Sequence, residues 1–223
     1  MLFETMVFNI TGPSWEAVST CLQKGHTPRL CIKQHALGQC KKAKHKVLKL
    51  LRLSLDNMET FLNERDNLKV IHLVRDPRAI LNSRIKTPWF VSKTKRTIRL
   101  NTQALCLKMR ADALSSQRLL KKFPTRFRIV YYEDLTNEPS TKLEELYTFL
   151  GMSLDPSLSP DLDSMVNHNT SYWWRHSLQW SHIQYMDSLC KDVYNILGYR
   201  MFKVEADVRN VSIPSLPVDF DCK

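Results

Sequence analysis

The chain has 223 residues, 43% of them apolar and 25% charged, enough for one globular domain or two small ones with a real core. Basic residues number 33 and acidic ones 22, a net charge of +11 that points to an anionic partner: nucleic acid, acidic polysaccharide, a phosphorylated cofactor or a membrane surface. No apolar run is long enough to span a bilayer, and the opening MLFETMVFNI lacks the basic region and apolar stretch of a signal peptide.

Residues 1–40 read as irregular, punctuated by Gly12-Pro13, Gly25, Pro28 and Gly38. HKVLKLLRLS, His45 to Ser54, alternates apolar and basic positions and predicts a strand. Asp56 reads as an N-cap and Glu59 completes a capping box, predicting a short helix through Phe61 and Leu62. KVIHLV, Lys69 to Val74, predicts a strand buried on both faces, with His72 a satisfied core residue.

A second helix is predicted to start at Pro77. From Thr97 to Lys122 the pattern is strongly helical, with Leu100, Ala104, Leu107, Ala111 and Leu114 on one stripe, ended by Phe123-Pro124. FRIVYY, Phe127 to Tyr132, predicts another strand. Thr141 to Leu150 predicts a helix with Gly151 as its stop. Residues 153–170 read as polar loop, Trp180 to Leu197 as a last helix ended by Gly198, and the chain beyond Tyr199 as peripheral. Strands separated by helices imply an α/β fold with parallel pairing.

The six cysteines, Cys21, Cys31, Cys40, Cys106, Cys190 and Cys222, contain no CxxC pair, so a zinc site is not expected. Buried free thiols and lumenal disulfides are both open readings. Three glycosylation sequons occur, at Asn9, Asn169 and Asn210.

The chemistry concentrates in VIHLVRDPRAILNSR, Val70 to Arg84. Asp76 suits an N-cap and Pro77 the first helical position, so Asp-Pro makes a sharp strand-to-helix turn. Arg75 then stands at the carboxyl end of the strand, where open α/β sheets bind ligands. Asp76, Ala79 and Ser83 share a helix face, with the small Ala79 leaving room. The span from Arg75 to Ser83 is about 12 Å at roughly 1.5 Å per residue. A flexible guanidinium folding back and a hydroxyl then grip one anion, and a phosphate fits that grip. The plainer alternative is an arginine paired with a carboxylate and a solvated serine.

This stretch resembles the 3′-phosphate-binding motif of sulfotransferases, most closely that of the Golgi carbohydrate 6-O-sulfotransferases acting on galactose, N-acetylgalactosamine or N-acetylglucosamine. Supporting matches are the strand region HKVLKLLRLSLDNMETFL after Cys40, RIVYYEDL with Tyr132, Glu133 and Asp134, and SYWWRHSLQW followed by Cys190 and LGY. The resemblance covers roughly Cys40 to Tyr199. It implies a P-loop-NTPase-like sulfotransferase fold, a parallel sheet flanked by helices, and a donor, PAPS (3′-phosphoadenosine 5′-phosphosulfate), whose 3′-phosphate is held by Arg75 and Ser83. It implies a glycan or glycosaminoglycan acceptor, a Golgi setting and no metal. No nucleic-acid motif is present.

That family also carries a Gly-Ser-rich phosphate loop for the 5′-phosphosulfate. TGPSW, Thr11 to Trp15, is only an echo of it: it has no arginine, and Pro13 removes an amide. The expectation is an N-terminally truncated sulfotransferase without its membrane anchor. It comprises an irregular segment 1–40, a partial sulfotransferase domain 41–200 and a tail 201–223. The catalytic base is unassigned, with Glu59 and Glu133 the conceivable carboxylates, and Trp173, Trp174 and Arg175 are either core or ligand contacts. The alternative function is an inactive relative that binds nucleotide or acidic glycan.

Overall fold

Residues 13–51, 53–87, 94–155 and 166–216 are described by the computed structural model, and the chain divides into two units at Leu53/Ser54. In the first unit the expected irregularity gives way to helices α1 (Pro13–Gln23), α2 (Pro28–His35) and α3 (Leu37–Lys42). The prolines that read as punctuation open α1 and α2, where a missing N–H is no loss. The Thr27 hydroxyl caps α2 by accepting from the Leu30 N–H. Gly25 turns the chain at φ +81°, a left-handed conformation that suits glycine. A disulfide joins Cys21 to Cys31 beside Val18.

After α3 the strand predicted from His45 to Ser54 is not formed: residues 46–50 are irregular and Val47 is 91% exposed. Alternation describes a half-buried strand only when a neighbour completes its ladder, and among the described residues no strand pairs with this segment. Arg52 lies outside the described residues.

The second unit opens with a 3₁₀ turn (Leu55–Asn57) and α4 (Met58–Glu64). The predicted capping box is absent, because both carboxylates are engaged elsewhere. Asp56 accepts from Ser115 and Arg118, and Glu59 from Arg118 and Lys122. Strand β1 (Val70–Val74) leads into α5 (Pro77–Lys86), then α6 (Lys95–Lys122), and β2 (Phe127–Tyr131) returns parallel to β1, with Val70 opposite Phe127 and Val74 opposite Tyr131. Parallel strands require such a crossover. Helices α7 (Tyr132–Asn137) and α8 (Pro139–Leu150) follow, α8 ending on Gly151 in the left-handed conformation as expected.

Beyond a 3₁₀ turn (His168–Ser171), α9 (Trp174–Ser177), α10 (Trp180–Leu189), α11 (Lys191–Leu197) and α12 (Glu205–Arg209) complete the unit. The single helix predicted from Trp180 to Leu197 is two, divided at Cys190. Residues 200–216 are not peripheral. Phe202 and Val208 pack with Ala79 and Trp174, and the Arg200 N–H donates to the Ser215 carbonyl.

The main core fills one face of the sheet. Val74 and Tyr131 meet Leu81, Ile98, Leu105, Cys106 and Ala113, closed over by Met186, Val193, Tyr194 and Leu197. His72 points to this side, its Nδ1 2.6 Å from the Ser116 hydroxyl, and burial pushes it down to about 4, so it is a neutral core residue as expected. On the opposite face Ile71 and Leu73 are exposed, Leu73 at 52%, so β1 is buried on one side rather than two. Helix α6 also differs from its predicted stripe: Leu100, Leu107 and Leu114 face solvent, while Ile98, Thr102, Leu105, Ala113 and Ser116 are buried.

Of the six cysteines, four are paired, Cys40 is free and exposed, and Cys222 lies outside the described residues. Cys106 on α6 is tied to Cys190 across 84 residues, a long loop whose closure restricts the unfolded chain. Replacing both by alanine is expected to lower the unfolding free energy by about 2–5 kcal/mol in urea titrations. An unchanged midpoint would show that this tie constrains nothing.

Candidate functional site

The site begins where β1 ends. Asp76 caps α5, its Oδ1 accepting from the Arg78 N–H at 2.8 Å, with Pro77 next, as the Asp-Pro signal predicts. The surprise is Arg78. It is fully buried, and its guanidinium turns back on the capping residue, Nε donating to Oδ1 at 2.9 Å and Nη2 to Oδ2 at 2.8 Å. Asp187 lies 3.5 Å from Nη1, and the rings of Trp174, Tyr194 and Phe202 surround the group at 4.4, 4.8 and 5.3 Å. Burial works against the charge, but Asp76, Tyr194 and Asp187 outweigh it and push the guanidinium above its ordinary range. A cation in the first turn of a helix opposes the helix dipole. That misplacement was the available sign that Arg78 is paired with its own cap.

Glu133, in the first turn of α7, fastens the second strand end to the first. Its Oε1 accepts from the Asp76 N–H at 2.9 Å and its Oε2 from the Tyr199 hydroxyl at 3.0 Å. The carboxyl is buried, which together with the negative charge of Asp76 pushes it up to about 7.

This framework holds Arg75 at the carboxyl end of β1. Its guanidinium lies 4.2 Å from the centre of the Tyr132 ring, and its Nη2 donates to the Thr170 carbonyl at 2.8 Å. The Tyr132 hydroxyl bonds the Thr170 hydroxyl at 2.8 Å, and Ser171 bonds Thr136, so the 3₁₀ turn is pinned over α7. Arg75 Nε is buried and has no hydrogen-bond partner among the described residues. A donor left this way is costly unless a ligand takes it up, which fits an anion at this place.

Ser83 lies two turns along α5, exposed, and no hydrogen bond joins it to Arg75. The room expected at Ala79 is filled, since Ala79 is packed in the core cluster of Trp174 and Phe202. The two tryptophans part company: Trp174 is core, while Trp173 is 56% exposed with the Lys86 ammonium 5.2 Å from its ring centre. Arg175 is structural, donating to the carbonyls of Val208, Ile213 and Asp207 at 2.6, 2.8 and 3.0 Å. Among the described residues no group of three or more His, Cys, Asp or Glu is arranged to hold a metal, and Thr11 and Gly12 of the TGPSW echo lie outside them. Nothing in the sequence marks Thr170 and Tyr199 as belonging to this place, to which only the fold brings them.

Residues 31–156 match the profile of the Sulfotransferase family. Human carbohydrate sulfotransferase 6 is 30% identical over 82% of this chain and 56% of its own length. Mouse carbohydrate sulfotransferase 5 is 29% identical over 79% and 53%, and mouse carbohydrate sulfotransferase 1 is 29% identical over 86% and 54%. The chain thus spans about half the length of the curated relatives it matches. No solved structure matches. With the Arg75 strand end inside the matched region, the chain belongs to the sulfotransferase family.

Proposed function

We propose that this chain works as a carbohydrate sulfotransferase, carrying a sulfuryl group from PAPS to a sugar hydroxyl, the 6-position of galactose, N-acetylgalactosamine or N-acetylglucosamine in a glycan. The observation that supports this most is Arg75: a guanidinium at a strand's carboxyl end, braced by Tyr132 and Thr170, with a buried donor that has no partner among the described residues. In this reading Arg75 and Ser83 hold the ribose 3′-phosphate. The guanidinium gives charge and a planar fork, and the Ser83 hydroxyl gives one further donor. Tyr132 and Thr170 are positioning residues that hold the fork in place before the ligand arrives, which spares ordering on binding. PAPS when bound supplies the sulfuryl group. The net charge of +11 suits an acidic glycan acceptor. Two disulfides favour an oxidising compartment, in keeping with a Golgi lumen.

Neither carboxylate considered as a base is available for that work. Glu59 is held by Arg118 and Lys122. Glu133 has both oxygens engaged and is buried. The base is therefore unassigned among the described residues, and the second reading is an inactive relative that binds nucleotide or acidic glycan. Transfer of labelled sulfate to a glycan acceptor separates the two readings.

Arg75→Ala is expected to weaken binding of adenosine 3′,5′-bisphosphate about 10- to 100-fold by calorimetry, the scale of a lost charged hydrogen-bond pair. Ser83→Ala is expected to weaken it about two- to tenfold. Unchanged affinity in Arg75→Ala would remove the phosphate role. Glu133 generates a pH dependence. Its folded carboxyl keeps a proton up to about 7 that the unfolded chain releases near 4.5, so its contribution to stability is present below about 4.5 and is lost as pH rises through about 7. Asp187, pushed up to about 6 by burial against the pull of Arg78, acts in the same sense. Urea unfolding across this range is expected to show stability falling with pH, and Glu133→Gln to flatten the upper part of the fall; a slope unaltered by the substitution would refute the assignment.

A further inference from the structure

Two sequons lie among the described residues, and the fold treats them differently. In Asn169-Thr170-Ser171 the turn is part of the Arg75 site. Its Ser171 hydroxyl is buried against Thr136, Thr170 is bound to Arg75 and Tyr132, and the Asn169 carbonyl accepts from the N–H groups of Tyr172 and Trp173.

Asn210-Val211-Ser212 stands outside that machinery. It follows α12 as an exposed turn in which all three residues face solvent. The backbone is fixed on both sides, the Asn210 N–H donating to the Ala206 carbonyl at 3.1 Å and the Ile213 N–H to the Asn210 carbonyl at 3.1 Å. The side chain is oriented too. Asn210 Oδ1 accepts from the Ser212 N–H at 3.0 Å, which leaves the Nδ2 amide free of hydrogen bonds among the described residues. The Ser212 hydroxyl is likewise unbonded among them, so nothing in the described fold competes for either group the sequon needs. Arg175 holds the same segment from beneath through the carbonyls of Val208 and Ile213, so a bulky group on Asn210 projects away from a rigid base.

A sequon is used only in a secretory lumen, and the two disulfides, Cys21–Cys31 and Cys106–Cys190, point to such a compartment independently of the sequon. We propose that Asn210 carries an N-linked oligosaccharide. This rests on the lumenal part of the proposed function and not on the phosphate site. The step joins Asn210 Nδ2 to the anomeric carbon of an oligosaccharide delivered on a polyisoprenyl diphosphate. The carbon–oxygen bond to the diphosphate breaks, the diphosphate leaves with the electron pair, and the amide proton passes to a base of the host transferase. The glycan covers exposed Val211 and adds a solvated mass just beyond α12.

The test expresses the full chain behind a cleavable secretion signal in animal cells, with a C-terminal tag bearing its own sequon. The tag reports entry into the lumen. Asn210→Gln and Ser212→Ala are each expected to lose one glycosidase-sensitive step on a gel, and Ser212→Thr to keep it. Peptide mapping after glycosidase treatment in heavy-oxygen water is expected to find Asn210 converted to labelled aspartate. A glycosylated tag with no step lost in Asn210→Gln would overturn the proposal. An unmodified tag would overturn it together with the lumenal reading. Adenosine 3′,5′-bisphosphate affinity, measured on the same samples, is expected to be equal in wild type and Asn210→Gln, so a failure of the phosphate site shows itself separately.

Discussion

The structure turns on one buried ion pair between residues two apart in the chain. Asp76 caps α5 and at the same time binds the guanidinium of Arg78 through both oxygens, each side chain wholly shielded from water. Two charges taken out of water are favourable only if every donor and acceptor is met. That condition is approached here by drawing in distant parts of the chain: Asp187 on the third side, and Trp174, Tyr194 and Phe202 around the cation. The pair therefore sets the β1–α5 turn and also recruits α9, α10 and α11 to it. Glu133 adds the other strand by accepting from the Asp76 N–H, so both strand ends are bound into one polar knot beneath an apolar shell.

The proposed function rests on the contrast between two arginines three residues apart. Arg78 is consumed by the interior. Arg75, one residue before the cap, is stacked on Tyr132 and bonded to Thr170, and its Nε has no partner among the described residues. Tyr132 directly precedes Glu133, so the brace under Arg75 and the fastener on Asp76 come from consecutive residues of α7. In the proposed reading, a guanidinium held on such a frame would lose little freedom on meeting a phosphate, and the fold would contribute binding rather than bond-making chemistry.

Much of the site was legible in the sequence because its signals are local. Asp76-Pro77 marked the start of α5, Gly151 and Gly198 marked helix ends, and VIHLV marked a strand that pairs in parallel. What escaped was set by distant partners. The Leu100–Leu107–Leu114 stripe is more apolar than the face α6 actually buries. That face tolerates Thr102 and Ser116, whose hydroxyls donate back to the carbonyls of Ile98 and Asp112 at 2.8 Å. Asp56 and Glu59 had the spacing of a capping box, yet the cations of α6 claimed them. HKVLKLLRLS had the alternation of a strand and, among the described residues, no strand beside it. Asp187, which reaches Arg78 from 109 residues away, has no signature in the sequence near it.

The most direct measurement is the unfolding free energy of Asp76→Asn. Asparagine caps a helix as well as aspartate, so the substitution removes the charge opposite Arg78 and leaves the cap. The account predicts a loss of about 3–5 kcal/mol, the cost of breaking a buried pair by removing one partner. A variant as stable as the wild type, to within about 0.5 kcal/mol, would contradict it and show that the turn does not depend on this pair.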